Sequence, residues 1–247
     1  MHDDDTTIGH VLSRREVVAM LGAAGAGALV SCGRAPASAQ YARSVLPACV
    51  VRPEQMEGPY FLDKMLERSD IRSEPSTGAL RVGVPLDLAV AVSQVGRGGC
   101  SPLAGAIVDI WQCDALGIYS GVKDLDGHFD TTGQNFLRGY QVTGSDGIAR
   151  FTTIYPGWYE GRTIHVHFKI RVPGNGASGH EFTSQFYFSD AQSNAQFTKA
   201  PYRDNTQRRA LNAADEIFRT GGRDLLLALT DTKDGLAGTF DVGLQMG

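Results

Sequence analysis

What this 247-residue chain has little of narrows its class first. It has no excess of basic charge: 23 Lys and Arg stand against 27 Asp and Glu, a formal net charge of -4, which speaks against nucleic acid as a partner. It has no apolar run of the ~20 residues needed to cross a membrane as a helix; the Ala/Gly-rich run from Val17 to Val30 is too short. Helical periodicity is scarce, and no internal repeat or low-complexity stretch stands out after the N-terminal segment. What is left is a globular chain, 42% hydrophobic and 20% charged, with enough material to bury one sizeable core.

Ser13-Arg14-Arg15 in front of that apolar run reads as a twin-arginine-type export signal. Residues 1–39 are therefore expected to be leader and linker, with a single domain at 40–247, an exported location, and a net charge of -4 minus (-1), or -3, after removal. Two processing routes stay open: cleavage after Ala37-Ser38-Ala39, or acylation of Cys32 in the lipoprotein-like Leu29-Val30-Ser31-Cys32, which would leave a lipid anchor. An oxidising compartment favours a disulfide. The pairing expected is Cys49 with Cys100, leaving Cys113 as a buried thiol in an apolar segment.

Short apolar runs separated by Gly, Pro, Asn and Asp predict an all-β fold, a β-sandwich of mostly antiparallel strands with long loops. Val84, Leu86, Leu88, Val90 and Val92 alternate along one strand, and Ala106 to Trp111 forms another. Gly144-Ser145-Asp146-Gly147 predicts a hairpin joining Tyr140–Thr143 to Ile148–Thr153. Further strands are expected at Thr163–Val172, Glu181–Phe188, Asp224–Leu229 and Leu236–Leu244, with one helix at Ala210–Phe218.

The strand Thr163–Val172 carries the first chemistry. Period-2 alternation sends Ile164, Val166, Phe168, Ile170 and Val172 to one face, so His165 and His167 share the other and project in parallel, close enough for one metal ion. Upstream, Tyr155-Pro156-Gly157-Trp158-Tyr159-Glu160-Gly161-Arg162 delivers a phenol and a guanidinium to the start of that strand. A second phenol, Tyr119, follows the Gly-containing turn after Asp109–Cys113.

In order, Trp111-Gln112-Cys113-Asp114-Ala115-Leu116-Gly117-Ile118-Tyr119, Pro156-Gly157-Trp158-Tyr159, Arg162-Thr163-Ile164-His165-Val166-His167 and Thr183-Ser184-Gln185-Phe186-Tyr187-Phe188 resemble the intradiol ring-cleavage dioxygenases, from about Met56 to Phe188. The resemblance implies one non-haem Fe(III) per chain held by Tyr119, Tyr159, His165 and His167, with Tyr159 leaving when substrate binds. It implies Arg162 and Gln185 as catalytic pocket residues and Trp111 and Tyr60, the latter in Glu57-Gly58-Pro59-Tyr60-Phe61, beside the substrate. The expected reactants are a small aromatic diol and O2, and the product a muconate-type diacid. The export leader, and the lack of a long helical N-terminal dimerisation region, point to a smaller extracellular branch.

Two other readings compete. The strands around Pro102–Ala106 and the later predicted hairpin also resemble a transthyretin-like binding module without catalysis. A secreted zinc hydrolase would use the two histidines with a third ligand and a general-base Glu, for which Glu160 is the candidate. Asp124, Asp126 and Asp130 lack the later ligands of a calcium loop and read as a polar loop over the pocket.

Overall fold

The alternating segment at 84–92 becomes strand β1 (Pro85–Gly96), with Leu86, Leu88, Val90 and Val92 turned into the core. The computed structural model describes residues 50–97, 99–124, 127–174 and 179–246; the leader, Cys32, Cys49 and Asp126 lie outside them. Along one edge β1 pairs antiparallel with β2 (Gly99–Pro102) and β5 (Ile148–Ile154), and along the other it runs parallel to β9 (Leu236–Gln245), which pairs with β8 (Leu229–Asp231). A second, antiparallel sheet has the order β4 (Arg138–Val142), β3 (Ile107–Trp111), β6 (His165–Val172), β7 (His180–Tyr187). The inner faces of the two sheets enclose one core, in which the rings of Phe168, Phe186 and Phe240 pack together with centres 5.3–6.0 Å apart. This is the predicted all-β sandwich, mostly antiparallel, with β1 against β9 as a parallel pair.

Three local expectations need correcting. The turn at 144–147 exists, with Gly147 N–H donating to Gly144 O at 2.9 Å, but its arms do not form a hairpin: β4 joins β3 and β5 joins β1, in different sheets. Turn residues specify a reversal of the chain, whereas the sheet each arm joins is set by where its apolar face is buried; Ala149 and Phe151 of β5 face the core alongside β1. The helix expected at Ala210–Phe218 is two short pieces, a 3-10 turn at Asn212–Ala214 and α2 (Glu216–Arg219). It is interrupted at Asp215, whose extended backbone and carboxylate cap α2. The strand expected at Asp224–Leu229 is mostly replaced by a 3-10 turn at Gly222–Leu225, followed by a single bridge from Leu226 to Tyr187 and by β8 from Leu229. A helix that was not expected, α1 (Asp190–Phe197), is capped by Ser189.

Residues 50–72 position the site. They run without regular structure from β9 (Gly243 N–H to Val50 O, 2.7 Å) past β7 (Gln55 N–H to Thr183 O, 3.0 Å) to β4 (Arg68 N–H to Tyr140 O, 3.1 Å). On the way Phe61 packs on Trp111, with Lys169 over its ring, so the outer face of the second sheet is covered rather than open to water. Cys100 is disulfide-bonded, and Cys113 is a free, buried thiol.

Candidate metal centre and cavity

Strand register sets out the polar residues in rows. Arg138, Trp111, His167 and Gln185 oppose one another across β4, β3, β6 and β7, and His165 opposes Tyr187. The intervening Val166 and Phe168 enter the core, so the alternation read in the sequence holds. His167 is held by its ring, stacked on Trp111 at 5.0 Å and 7°, and Gly58 passes so close that a Cβ there would lie 3.2 Å from His167 Cε1.

Tyr119 is placed by the turn after β3. Asp114 accepts from the N–H groups of Leu116 and Ile118 at 2.9 and 3.0 Å, and Gly117 takes φ +86°, a conformation that glycine adopts without strain. A Cβ at Gly117 would stand 2.2 Å from the carbonyl oxygen of Trp158, so this glycine lets the turn lie against the loop that carries Tyr159. That loop is tied down by Gly157 N–H to Asp114 O, Asn205 to Trp158 O, and the Trp158 indole to Gln207 O.

The two loops and β6 bring four donor atoms together. Tyr119 Oη, Tyr159 Oη and His167 Nε2 lie 3.4, 3.3 and 3.1 Å from His165 Nε2. His165 Nδ1 is 2.6 Å from Thr163 O and donates to it, leaving a lone pair on Nε2. One lone pair accepts one hydrogen bond well, yet three polar atoms crowd it, so the group is poorly satisfied as a hydrogen-bond cluster. It fits a cation better, because donors at ~2.0–2.1 Å from one tetrahedral ion stand roughly 3.3 Å apart. Burial, and after it the positive charge of Arg162, holds His165 well below its ordinary pKa; burial and His165 do the same for His167, so both imidazoles are neutral. Burial also pushes Tyr119 well above its ordinary range and Tyr159 up to about 12, so without a cation both are neutral phenols. Among the described residues no three His, Cys, Asp or Glu side chains are grouped to hold a metal. That leaves the zinc-hydrolase reading without its third ligand, and Glu160 is exposed.

Arg162 stands beside this cluster, its Nε 2.8 Å from the fully buried Asp215 and an amino group on Gln185 Oε1. Burial alone would raise the Asp215 carboxyl, but Arg162 and the N–H groups of Thr163 and Phe218 outweigh it and hold it below the usual range. A cavity of about 410 Å³ opens in front, lined among others by Tyr60, Phe129, Tyr159 and Arg162. That volume suits a small-molecule site. A larger hollow, about 600 Å³, lies over β1, β5 and β9 and contains none of these side chains.

The structure thus brings Tyr119, Tyr159, His165, His167 and Arg162 together and puts Tyr60 on the cavity wall. Trp111 lies behind His167, and Gln185 lies behind Arg162, donating to Met56 O and accepting from Tyr187 Oη; both touch site residues rather than the cavity wall. Two residues were missed. Asp215 anchors Arg162 from 53 positions away. Arg138 is buried, donates to Ser120 Oγ, Ser120 O and Tyr60 O, has no carboxylate partner among the described residues, and is lowered to about 10 by burial.

Residues 56–244 match the profile of the family described as "Dioxygenase". Among solved structures, the intradiol ring-cleavage dioxygenase of Tetranychus urticae is 33% identical, covering 80% of this chain and 95% of that one, with a TM-score of 0.68. The dioxygenase domain of a dioxygenase–carbohydrate-binding fusion from Streptomyces sp. SirexAA-E is 32% identical over 80% of this chain and 100% of that one, with a TM-score of 0.56. The chlorocatechol 1,2-dioxygenase of Pseudomonas putida is 32% identical over 104 residues, 35% of this chain and 36% of that protein. The chain spans less than half the length of the curated relatives it matches.

Proposed function

Because the chain belongs to the intradiol ring-cleavage dioxygenase family, we propose that it binds one non-haem iron(III) on Tyr119, Tyr159, His165 and His167 and uses O2 to open a catechol-type ring between its two hydroxyls. The observation that carries this reading is the convergence of two phenol oxygens and one imidazole nitrogen within 3.1–3.4 Å of a second imidazole nitrogen. Two anionic phenolates favour the ferric state, whereas two histidines with one carboxylate would suit iron(II). When bound, the ion supplies Lewis acidity and a template for the diol.

The chain's own groups do the rest. Tyr119 and His167 are buried and held by packing, which fixes their atoms. Tyr159 is half-buried and borders the cavity, so a diol meets it first. Arg162, fixed by Asp215 and Gln185, presents positive charge where negative charge builds on the ring. Tyr60, Phe129 and Ile217 wall the ring and keep water from it. The leader is assigned to export of the protein by the twin-arginine route.

The test is to give the iron-loaded protein catechol under 18O2. One O2 consumed per ring, with one labelled oxygen in each carboxyl of a muconate-type diacid, is the expected result. An aldehyde product from cleavage beside the diol, or no uptake with iron bound, contradicts it.

A further inference from the structure

Besides Tyr60 and Tyr159, the ionisable side chains that line the cavity are Asp124, His128, Glu160 and Arg162, and their charges are unequally matched. Arg162 is paired with Asp215 through Nε and has one amino group on Gln185, so its charge still reaches the ring but it offers no vacant fork for a carboxylate. Asp124 accepts from Tyr60 Oη at 2.7 Å and stands 3.3 Å from His128 Nδ1. Glu160 is exposed at the rim, with no ion-pair partner among the described residues. No lysine and no second arginine lines the cavity among those residues, while Met56, Pro59, Phe129 and Ile217 give it an apolar wall. At about 410 Å³ the space falls in the ~300–1,000 Å³ range that takes drug-sized molecules, more than a bare six-carbon ring requires.

We propose that this cavity selects catechols whose ring carries an uncharged or cationic extension and discriminates against those whose extension ends in a carboxylate. The chemistry rests on the ring-cleavage reading; the charge preference does not. One carboxylate ~8 Å from a charged substituent changes affinity roughly two- to sixfold in a near-aqueous dielectric. Reversing the sign of the substituent should therefore move Kd about tenfold.

Three catechols of matched size test this: 4-(2-aminoethyl)catechol, 4-(2-hydroxyethyl)catechol and 3,4-dihydroxyphenylacetate. Their Kd values are measured by calorimetry with iron-loaded protein at pH 8 without O2, and ring opening is then followed in air. The amine should bind most tightly and the acid most weakly, with a span of about tenfold that contracts in 0.5 M salt. Glu160→Gln should collapse the span to about twofold or less, and Glu160→Arg should favour the acid. An acid that binds as tightly as the amine, an order that Glu160→Arg leaves unchanged, or no binding at all overturns the proposal. If the order holds but no ring opens, the charge preference stands and the ring-cleavage reading fails.

Discussion

Asp215→Asn separates the role of Arg162 from the role of the metal donors. Asp215 is fully buried, and its carboxylate accepts three N–H groups: Arg162 Nε at 2.8 Å, Thr163 N at 2.7 Å and Phe218 N at 2.9 Å. Asn keeps the shape and one of the two acceptor oxygens, sets an NH2 where the other accepted, and leaves the Arg162 charge, 15% exposed, without its counter-ion. Breaking a buried pair from one side costs about 3–5 kcal/mol. Because Arg162 retains Gln185 and some water, the lower end applies: about 3 kcal/mol, or a urea midpoint lower by ~1.5 M for a slope of ~2 kcal/mol/M. The loss has a pH signature. The folded Asp215 pKa lies below the ordinary value, so its contribution is present above the unfolded pKa of ~3.9 and is lost as pH falls through the folded pKa. The gap between wild type and variant should therefore be full at neutral pH and close below about pH 4. Iron content should be unchanged, since Asp215 touches none of the four donors. A guanidinium displaced by ~1 Å should lower kcat/KM by roughly 100-fold. A midpoint shift under ~0.3 M together with unaltered kcat/KM would refute the argument that Asp215 positions Arg162.

Gly117→Ala should drive the two tyrosine loops apart, because its Cβ would lie 2.2 Å from Trp158 O and its φ is +86°. A loss of about 2–4 kcal/mol by thermal melting and a fall in bound iron are expected, and wild-type iron content would count against the loop packing described. Phe240→Ala removes a 1% exposed ring from the core side of the first sheet. It should cost ~3–5 kcal/mol in denaturant titration while the folded fraction keeps its iron and turnover rate; lost activity without lost stability would contradict that separation.

The sandwich and the two histidines were legible in the sequence because strand periodicity is local: the same alternation that buries Val166 and Phe168 fixes the direction of His165 and His167. Tyr119 and Tyr159 were not legible in that way. Each stands in a loop whose path depends on Gly117 and Gly157 packing against other loops; their places beside the strand and its turns made them candidates, and the resemblance to a family gave them their roles. Asp215 was hidden because a stretch from Ala210 to Phe218 with good helix formers reads as one helix; the arginine that pulls Asp215 out of it lies 53 residues upstream. Arg138 gave no signal either, since its partners are a serine and two backbone carbonyls. The false hairpin at 144–147 has the same origin, as turn residues say nothing about which sheet each arm joins.

The central claim is a ferric ion held by two phenolates, and the direct measurement is metal content with the visible spectrum for the wild type and Tyr119→Phe. One iron per chain with a broad visible tyrosinate absorption is expected in the wild type, and loss of the iron in the variant. A colourless zinc protein, or a variant with unaltered iron and absorption, would contradict it.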